Sequence, residues 1–310
     1  MRSVFGRPSD DGGIPLGDIM QCSIRYVLIT PTKNEELLIG RTIDSVVGQT
    51  LRPVEWVVVD DGSSDRTGAI VSAASALHPW IRIVERAPQA ERCFASVVQA
   101  VEAGMRALTT KEYDFIGLLD SDVCFGRDYF QRVIEAFASQ PKLGLAGGVV
   151  LDPGERRDRL PRNRADIPGA SQFFRRSCFE ALGGLIAVPD GGWDALTCAQ
   201  ARMHGYETRL LTDLVVEHLK PRNAFQGGVL RRNFQMGVRD YALCYSLAYE
   251  TFKCVGRCFT HPCFIGSIAW WFGYCYAVIR RRQRIVPKEL VAFMWREQKR
   301  RIVRQFCPVR

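Results

Sequence analysis

Apolar positions fall into two rhythms along the first two-thirds of the chain. Arg25–Thr30 (RYVLIT), Val54–Val59 (VEWVVV) and Phe115–Leu119 (FIGLL) are runs that are apolar at nearly every position. That pattern predicts strands buried on both faces. Between them the period lengthens. Glu35–Val47 places Leu37, Leu38, Ile43, Val46 and Val47 at helical spacing and stops at Gly48, as a helix should. Thr67–Leu77 and Cys93–Leu108 read as further helices and Ile81–Val84 as a short strand. Gly144–Val150 and Ser171–Phe174 are strand-like, with a charged loop, Arg156–Arg164, between them. Trp193–His204 predicts a helix ended by Gly205, and Val215–His218 a strand end.

Two-sided apolar strands alternating with helices imply an α/β fold, a mostly parallel sheet flanked by helices. Such sheets bind ligands beyond the carboxyl ends of their strands. Here those ends carry Thr30 and Pro31 with Asn34 and Glu35 nearby, then Asp60 and Asp61, then Asp120 and Asp122. Polar and acidic groups at three neighbouring strand ends predict a site. No G-x-G-x-x-G follows the first strand and no G-x-x-x-x-G-K-[ST] occurs, which disfavours a dinucleotide dehydrogenase and a P-loop NTPase.

Asp120-Ser121-Asp122 follows a buried strand directly. Carboxylates two residues apart on extended backbone suit one hard divalent cation, with diphosphate oxygens completing its shell. Asp60-Asp61-Gly62-Ser63 is on its own an ordinary turn. In a site it would recognise a base or ribose, a carboxylate accepting from a ring N–H or a hydroxyl.

Composition narrows the class. With 310 residues and 47% hydrophobic content, the chain can bury one large core with an appendage, or two cores. Residues 1–21, rich in Gly, Pro and Asp and without an apolar stretch of signal length, read as a flexible lead-in. The net charge of +9 is lopsided: residues 220–310 hold 18 basic against 4 acidic side chains, whereas residues 1–219 hold 24 against 29. A basic C-terminal third points to an anionic partner surface. The eleven cysteines are scattered. Cys254, Cys258 and Cys263 with His261 lack the paired spacing of common zinc modules, so reduced thiols are the expectation.

From Cys263 to Ile279 no residue is charged, and Arg280, Arg281, Arg282 and Arg284 follow at once. Three readings stay open: an interfacial or re-entrant helix, a buried core or dimer helix, and a short membrane span. Lys288–Phe306 adds a basic helix suited to the same surface. Nucleic acid is the weaker partner class, because the aromatics form one apolar block and do not alternate along a basic groove.

The motifs T-P-T-K-N-E, V-V-V-D-D-G-S-S-D-R-T and L-L-D-S-D resemble the inverting family-2 glycosyltransferases of the nucleotide-diphospho-sugar transferase (GT-A) fold, in a bacterial polysaccharide-type subgroup. The likeness continues through residues 169–184, G-W-D-A-L at 192–196 and E-H-L-K-P-R at 217–222, and thins out by residue 245. It implies a GT-A domain at 22–219, a Rossmann-like mostly parallel sheet; the charge and the apolar run make the basic, helical region at 220–310 read as membrane-facing. The likeness also implies a nucleotide-diphospho-sugar donor, Mn2+ or Mg2+, and a glycan or lipid-linked acceptor at the cytoplasmic face of a membrane, with the protein peripheral or monotopic.

Carried over by position, Thr30, Pro31 and Glu35 would line the nucleoside pocket, with Asp60 and Asp61 at the base or ribose. Asp120 would face sugar and ribose, and Asp122 and His218 would bind the metal. Asp194 would be the catalytic base and Trp193 part of the substrate pocket, with Asp190 as the substitute base. Arg222 or Lys220 would meet the diphosphate. Arg175 and Arg176 suit either acceptor contact or a solvated helix start. Two rival classes are a nucleotidyltransferase on a similar sheet and a non-catalytic scaffold. The first would want a Gly- and Lys/Arg-rich loop where P-T-K-N-E stands. The second would have no need to keep Asp60, Asp122, Asp194 and His218 together.

Overall fold

The computed structural model describes residues 24–87, 95–155, 164–221, 228–260 and 262–306. Its first half follows the expected rhythm. Strand β1 (Tyr26–Thr32) leads to helix α1 (Ile39–Val47), β2 (Glu55–Asp60) to α2 (Thr67–Leu77), and β3 (Ile81–Glu85) to α3 (Ala95–Ala107). Next come β4 (Phe115–Leu119), the short β5 (Val123–Phe125), α4 (Tyr129–Ser139) and β6 (Leu143–Leu151). After them stand β7 (Ser171–Arg175), α5 (Arg176–Ala181), α6 (Trp193–Met203) and β8 (Glu207–His218). Pro31 lies inside β1 and not after it. The pairing of β1 with β4 ends at Ile29 opposite Leu118, so the missing N–H of Pro31 breaks no ladder on that side.

The eight strands form one sheet in the order β3-β2-β1-β4-β7-β6-β8-β5. β1, β2, β3 and β4 run parallel to one another, as do β6 and β8. β7, however, is inserted antiparallel between β4 and β6, and β5 is antiparallel to β8. The sheet is therefore mixed where a mostly parallel one was expected. An apolar run does not encode strand direction.

Alternate side chains feed two cores, because successive strand residues point to opposite faces. Tyr26, Leu28, Trp56 and Val58 pack on one face with Ile39 and Val46 of α1, Val71 of α2 and Phe130, Val133 and Phe137 of α4. Val27, Ile29, Val57 and Val59 pack on the other with Val98 and Val101 of α3 and Cys198 and Ala201 of α6.

Helices α7 (Gly228–Ala242), α8 (Leu247–Gly256), α9 (Ile265–Ile279) and α10 (Lys288–Phe306) build the C-terminal third. They are joined to the sheet domain through a shared core, in which Leu196 and Ala199 of α6 meet Leu243, Val286, Leu290 and Met294. None of the described helices is long and apolar enough to cross a membrane, which removes the spanning reading of 263–279.

Candidate active site

Several chain segments, four of them carrying most of its polar groups, converge beyond the carboxyl ends of the central strands on a cavity of about 450 Å³. β1 delivers Pro31 and Thr32, with Lys33 and Glu35 after it; β4 delivers Asp120, Ser121 and Asp122; β8 delivers His218 and Lys220; and the start of α6 delivers Trp193 and Asp194.

The acidic turn after β4 is stitched in place. The amide of Asp120 donates to the carbonyl of Ala170 at 3.0 Å, and that of Leu219 to the carbonyl of Asp122 at 2.8 Å. Thr42 of α1 donates to the Ser121 carbonyl at 2.9 Å and accepts from the Val123 amide at 3.2 Å. His218 then stands with Nδ1 3.6 Å from Asp122 Oδ2 and Nε2 3.9 Å from Asp120 Oδ2. The ammonium of Lys220 pairs with Glu35 and lies 3.3 Å from Asp122 Oδ2.

These groups perturb one another. Burial, reinforced by the charge of Asp122 and opposed by His218, pushes the Asp120 carboxyl up to about 7. Burial also works against the Asp122 carboxylate, but hydrogen bonding from His218 and the charge of Lys220 hold its pKa below the ordinary value. A buried carboxylate, Asp122, beside a half-buried one, Asp120, favours a cation between them. The ligand atoms of Asp120, Asp122 and His218 all lie within 4.8 Å of one another. Two hard carboxylates and one imidazole form a donor set that fits Mn2+ or Mg2+.

Asp194 sits in the first turn of α6, after Gly192, whose φ of 91° is open to glycine at little cost. Its Oδ2 accepts from the Gly169 amide at 3.2 Å, and Gln172 ties its carbonyl to that of Ile167. Burial raises the pKa of Asp194, against the opposing charge of Arg239. Arg239 reaches the cavity from α7. Its signal in the sequence was only the family likeness thinning out towards residue 245.

Not every expected residue faces the cavity. Thr30 is fully buried, and its hydroxyl accepts the Trp56 indole N–H at 2.9 Å; a side chain spent inside the core cannot line a nucleoside pocket. Asp60 caps its own turn, taking the Ser63 amide at 2.8 Å. Its neighbour Asp61 borders the cavity, paired with Arg86 at 2.5 Å. Asp190 is bound to Arg282 at 3.0 Å and lies off the cavity, so it is not the substitute base. Arg175 donates to the carbonyls of Leu143 and Phe137, and Arg176 pairs with Glu180; neither reaches the cavity. Arg222 lies outside the described residues. Among the described residues Cys254 and Cys258 bond to neighbours in their own helix and its end and assemble no metal cluster.

Comparison with known proteins bears on the family and the fold. The model of the family described as "Glycosyl transferase family 2" matches residues 27–193. The chain is 26% identical over 207 residues to beta-monoglucosyldiacylglycerol synthase of Synechocystis, covering 59% of this chain and 42% of that protein. It is 30% identical over 135 residues to the uncharacterized glycosyltransferase EpsJ of Bacillus subtilis, covering 43% and 36%. It thus spans less than half the length of these two relatives. Among solved structures it resembles the mannosyltransferase PcManGT of Pyrobaculum calidifontis in complex with GDP-Man and Mn2+, with a TM-score of 0.56 at 19% identity over 92% of this chain and 81% of that one. It also resembles residues 1–349 of Staphylococcus aureus TarS with UDP-GlcNAc, with a TM-score of 0.52 at 15% identity over 69% and 65%. At these identities the likeness speaks for the fold.

Proposed function

Because this chain belongs to glycosyl transferase family 2, we propose that it moves a sugar, with inversion, from a nucleotide-diphospho-sugar to a hydroxyl of a glycan or lipid-linked acceptor in cell-envelope or exopolysaccharide synthesis. One observation carries the reading: a cation-type donor set (Asp120, Asp122, His218) and a separate, half-buried carboxylate, Asp194, border the same cavity.

The residues divide the work. Pro31, Thr32, Glu35 and Asp61 border the region where a nucleoside would lie. A divalent cation held by Asp120, Asp122 and His218 would neutralise charge gathering on the departing nucleoside diphosphate. Lys220 adds a fixed positive charge beside that group. Asp194 takes the proton of the acceptor hydroxyl. A free carboxylate is too weak to remove that proton in advance, so transfer accompanies attack on the anomeric carbon. Burial helps by raising the carboxylate's basicity, and the charge of Arg239 opposes that rise. One base and one in-line displacement give inversion.

The basic C-terminal third supports a place of action at the cytoplasmic face of a membrane. The test of the donor reading is a thermal-shift screen of nucleoside diphosphates and their sugars with Mn2+, followed by EDTA. Stabilisation by at least one of them that EDTA reverses is the expected result. No shift with any nucleotide would remove the proposal.

A further inference from the structure

Helix α9 is 15 residues long and carries no charge. One face, made of Gly266, Ser267, Trp270, Gly273, Tyr274 and Ala277, is buried, and it packs against α7. The crossing is close. A Cβ on Gly237 of α7 would sit 1.9 Å from the Trp270 carbonyl oxygen, and one on Gly273 the same distance from that of Phe234. The helix is therefore seated on the fold backbone to backbone.

Its other face is apolar and open. Ile265, Ile268, Phe272, Tyr276 and Ile279 recur at spacings of three and four, with Trp271 beside them; Phe272 is 57% exposed and Ile279 79%. Exposed Phe264, and Phe259 at 82%, extend the face before the helix. A contiguous apolar surface of this kind marks a contact site.

Charge selects the occupant. No acidic residue occurs from Thr251 to Lys288, while Arg280, Arg281, Arg282 and Arg284 close the helix, Arg282 being paired with Asp190. A second copy of this face would complement only its apolar part, whereas an anionic bilayer complements both the apolar face and the charge. At about 22 Å the helix is shorter than the roughly 30 Å hydrocarbon core, so it lies in the interface and does not cross it.

We propose that the open face of α9, with the Arg280–Arg284 cluster at its end, seats the protein on an anionic phospholipid surface, and that the acceptor hydroxyl reaching Asp194 is anchored in the same bilayer. The second clause rests on the glycosyltransferase reading; the first does not. Geometry links the two. Gly237 touches α9, and Arg239, two residues on, lines the catalytic cavity. With a helix about 10 Å across, bilayer and cavity wall are on the order of 20 Å apart.

The test uses the full chain without nucleotide and vesicles of phosphatidylcholine, alone or with about a third phosphatidylglycerol. The protein should sediment with the anionic vesicles at least about tenfold more than with the neutral ones. Ile268→Ser with Phe272→Ser should cut binding to the anionic vesicles at least about tenfold, and Arg280→Gln with Arg281→Gln should erase the lipid preference. All should keep the wild-type melting temperature and nucleoside diphosphate binding, neither of which depends on the bilayer. Brominated acyl chains should quench tryptophan emission, and Trp271→Phe, a change the fold can absorb, should lose most of that quenching.

The proposal is overturned if the wild type stays in the supernatant with both lipids, or if the Ile268/Phe272 variant binds undiminished. It is also overturned if ultracentrifugation finds a dimer that this variant disperses while lipid binding is absent. Vesicle binding by a protein that takes up no nucleotide would leave the first clause standing and remove only the second.

Discussion

The hydroxyl of Thr42 bonds the carbonyl of Ser121 at 2.9 Å, so a helix that bears no acid of the site holds the turn that bears two of them. Both groups are buried, and the same hydroxyl also receives the Val123 amide. Thr42→Val keeps the shape and removes both bonds. Leaving a buried carbonyl and amide unpaired costs about 1–3 kcal/mol. A melting temperature lower by several degrees is expected, with a several-fold loss of Mn2+-stimulated nucleotide binding. Calorimetry of both would expose a variant that matches the wild type.

Asp194 and Asp122 should fail in different ways. Losing a general base costs about 10²–10⁴ in rate, so Asp194→Asn should lower kcat by roughly that factor and leave donor binding alone. Asp122→Asn should instead abolish the metal's effect on donor binding. Turnover near wild type in Asp194→Asn would remove the base assignment.

The pH profile should report Arg239. Asp194 must be ionised to accept a proton, and burial raises its pKa while Arg239 opposes the rise. Activity therefore climbs with pH on the acid side. Arg239→Gln withdraws the opposing charge and should move that limb to higher pH, with Arg239→Lys returning it most of the way. A limb in the same place for all three proteins, read as kcat/KM against pH, would show that Arg239 does not act on Asp194.

A second acid should make stability fall with pH. Glu250, fully buried in α8, is pushed up from 4.5 to about 7 by burial and by Asp240, against the charge of Lys253. The folded protein thus holds a proton that the unfolded chain releases near 4.5. The stability tied to that proton is complete below pH 4.5 and is lost as pH rises through about 7. Part of the fall in melting temperature over this window should disappear in Glu250→Gln.

Much of this protein could be read from local pattern. Continuous apolar runs and helical spacing marked β1, β2, β4, α2 and α6 because burial on one or two faces leaves a period in the chain itself. Asp120, Asp122, Asp194 and His218 were singled out by their motifs, and they meet at one cavity.

What local pattern could not carry was orientation across distance. Side chains alternate along β1 and β2, but the partner each one meets is chosen by what packs on that face. The Thr30 hydroxyl is therefore consumed by Trp56, and Asp61, not Asp60, borders the cavity. The antiparallel seating of β7, the arrival of Arg239 opposite Asp194 and the open face of α9 are likewise consequences of packing. Burial and periodicity are properties of neighbouring residues, so the chain records them. Which segments meet, and in which direction, is a property of the whole folded molecule, and only the tertiary structure decided it.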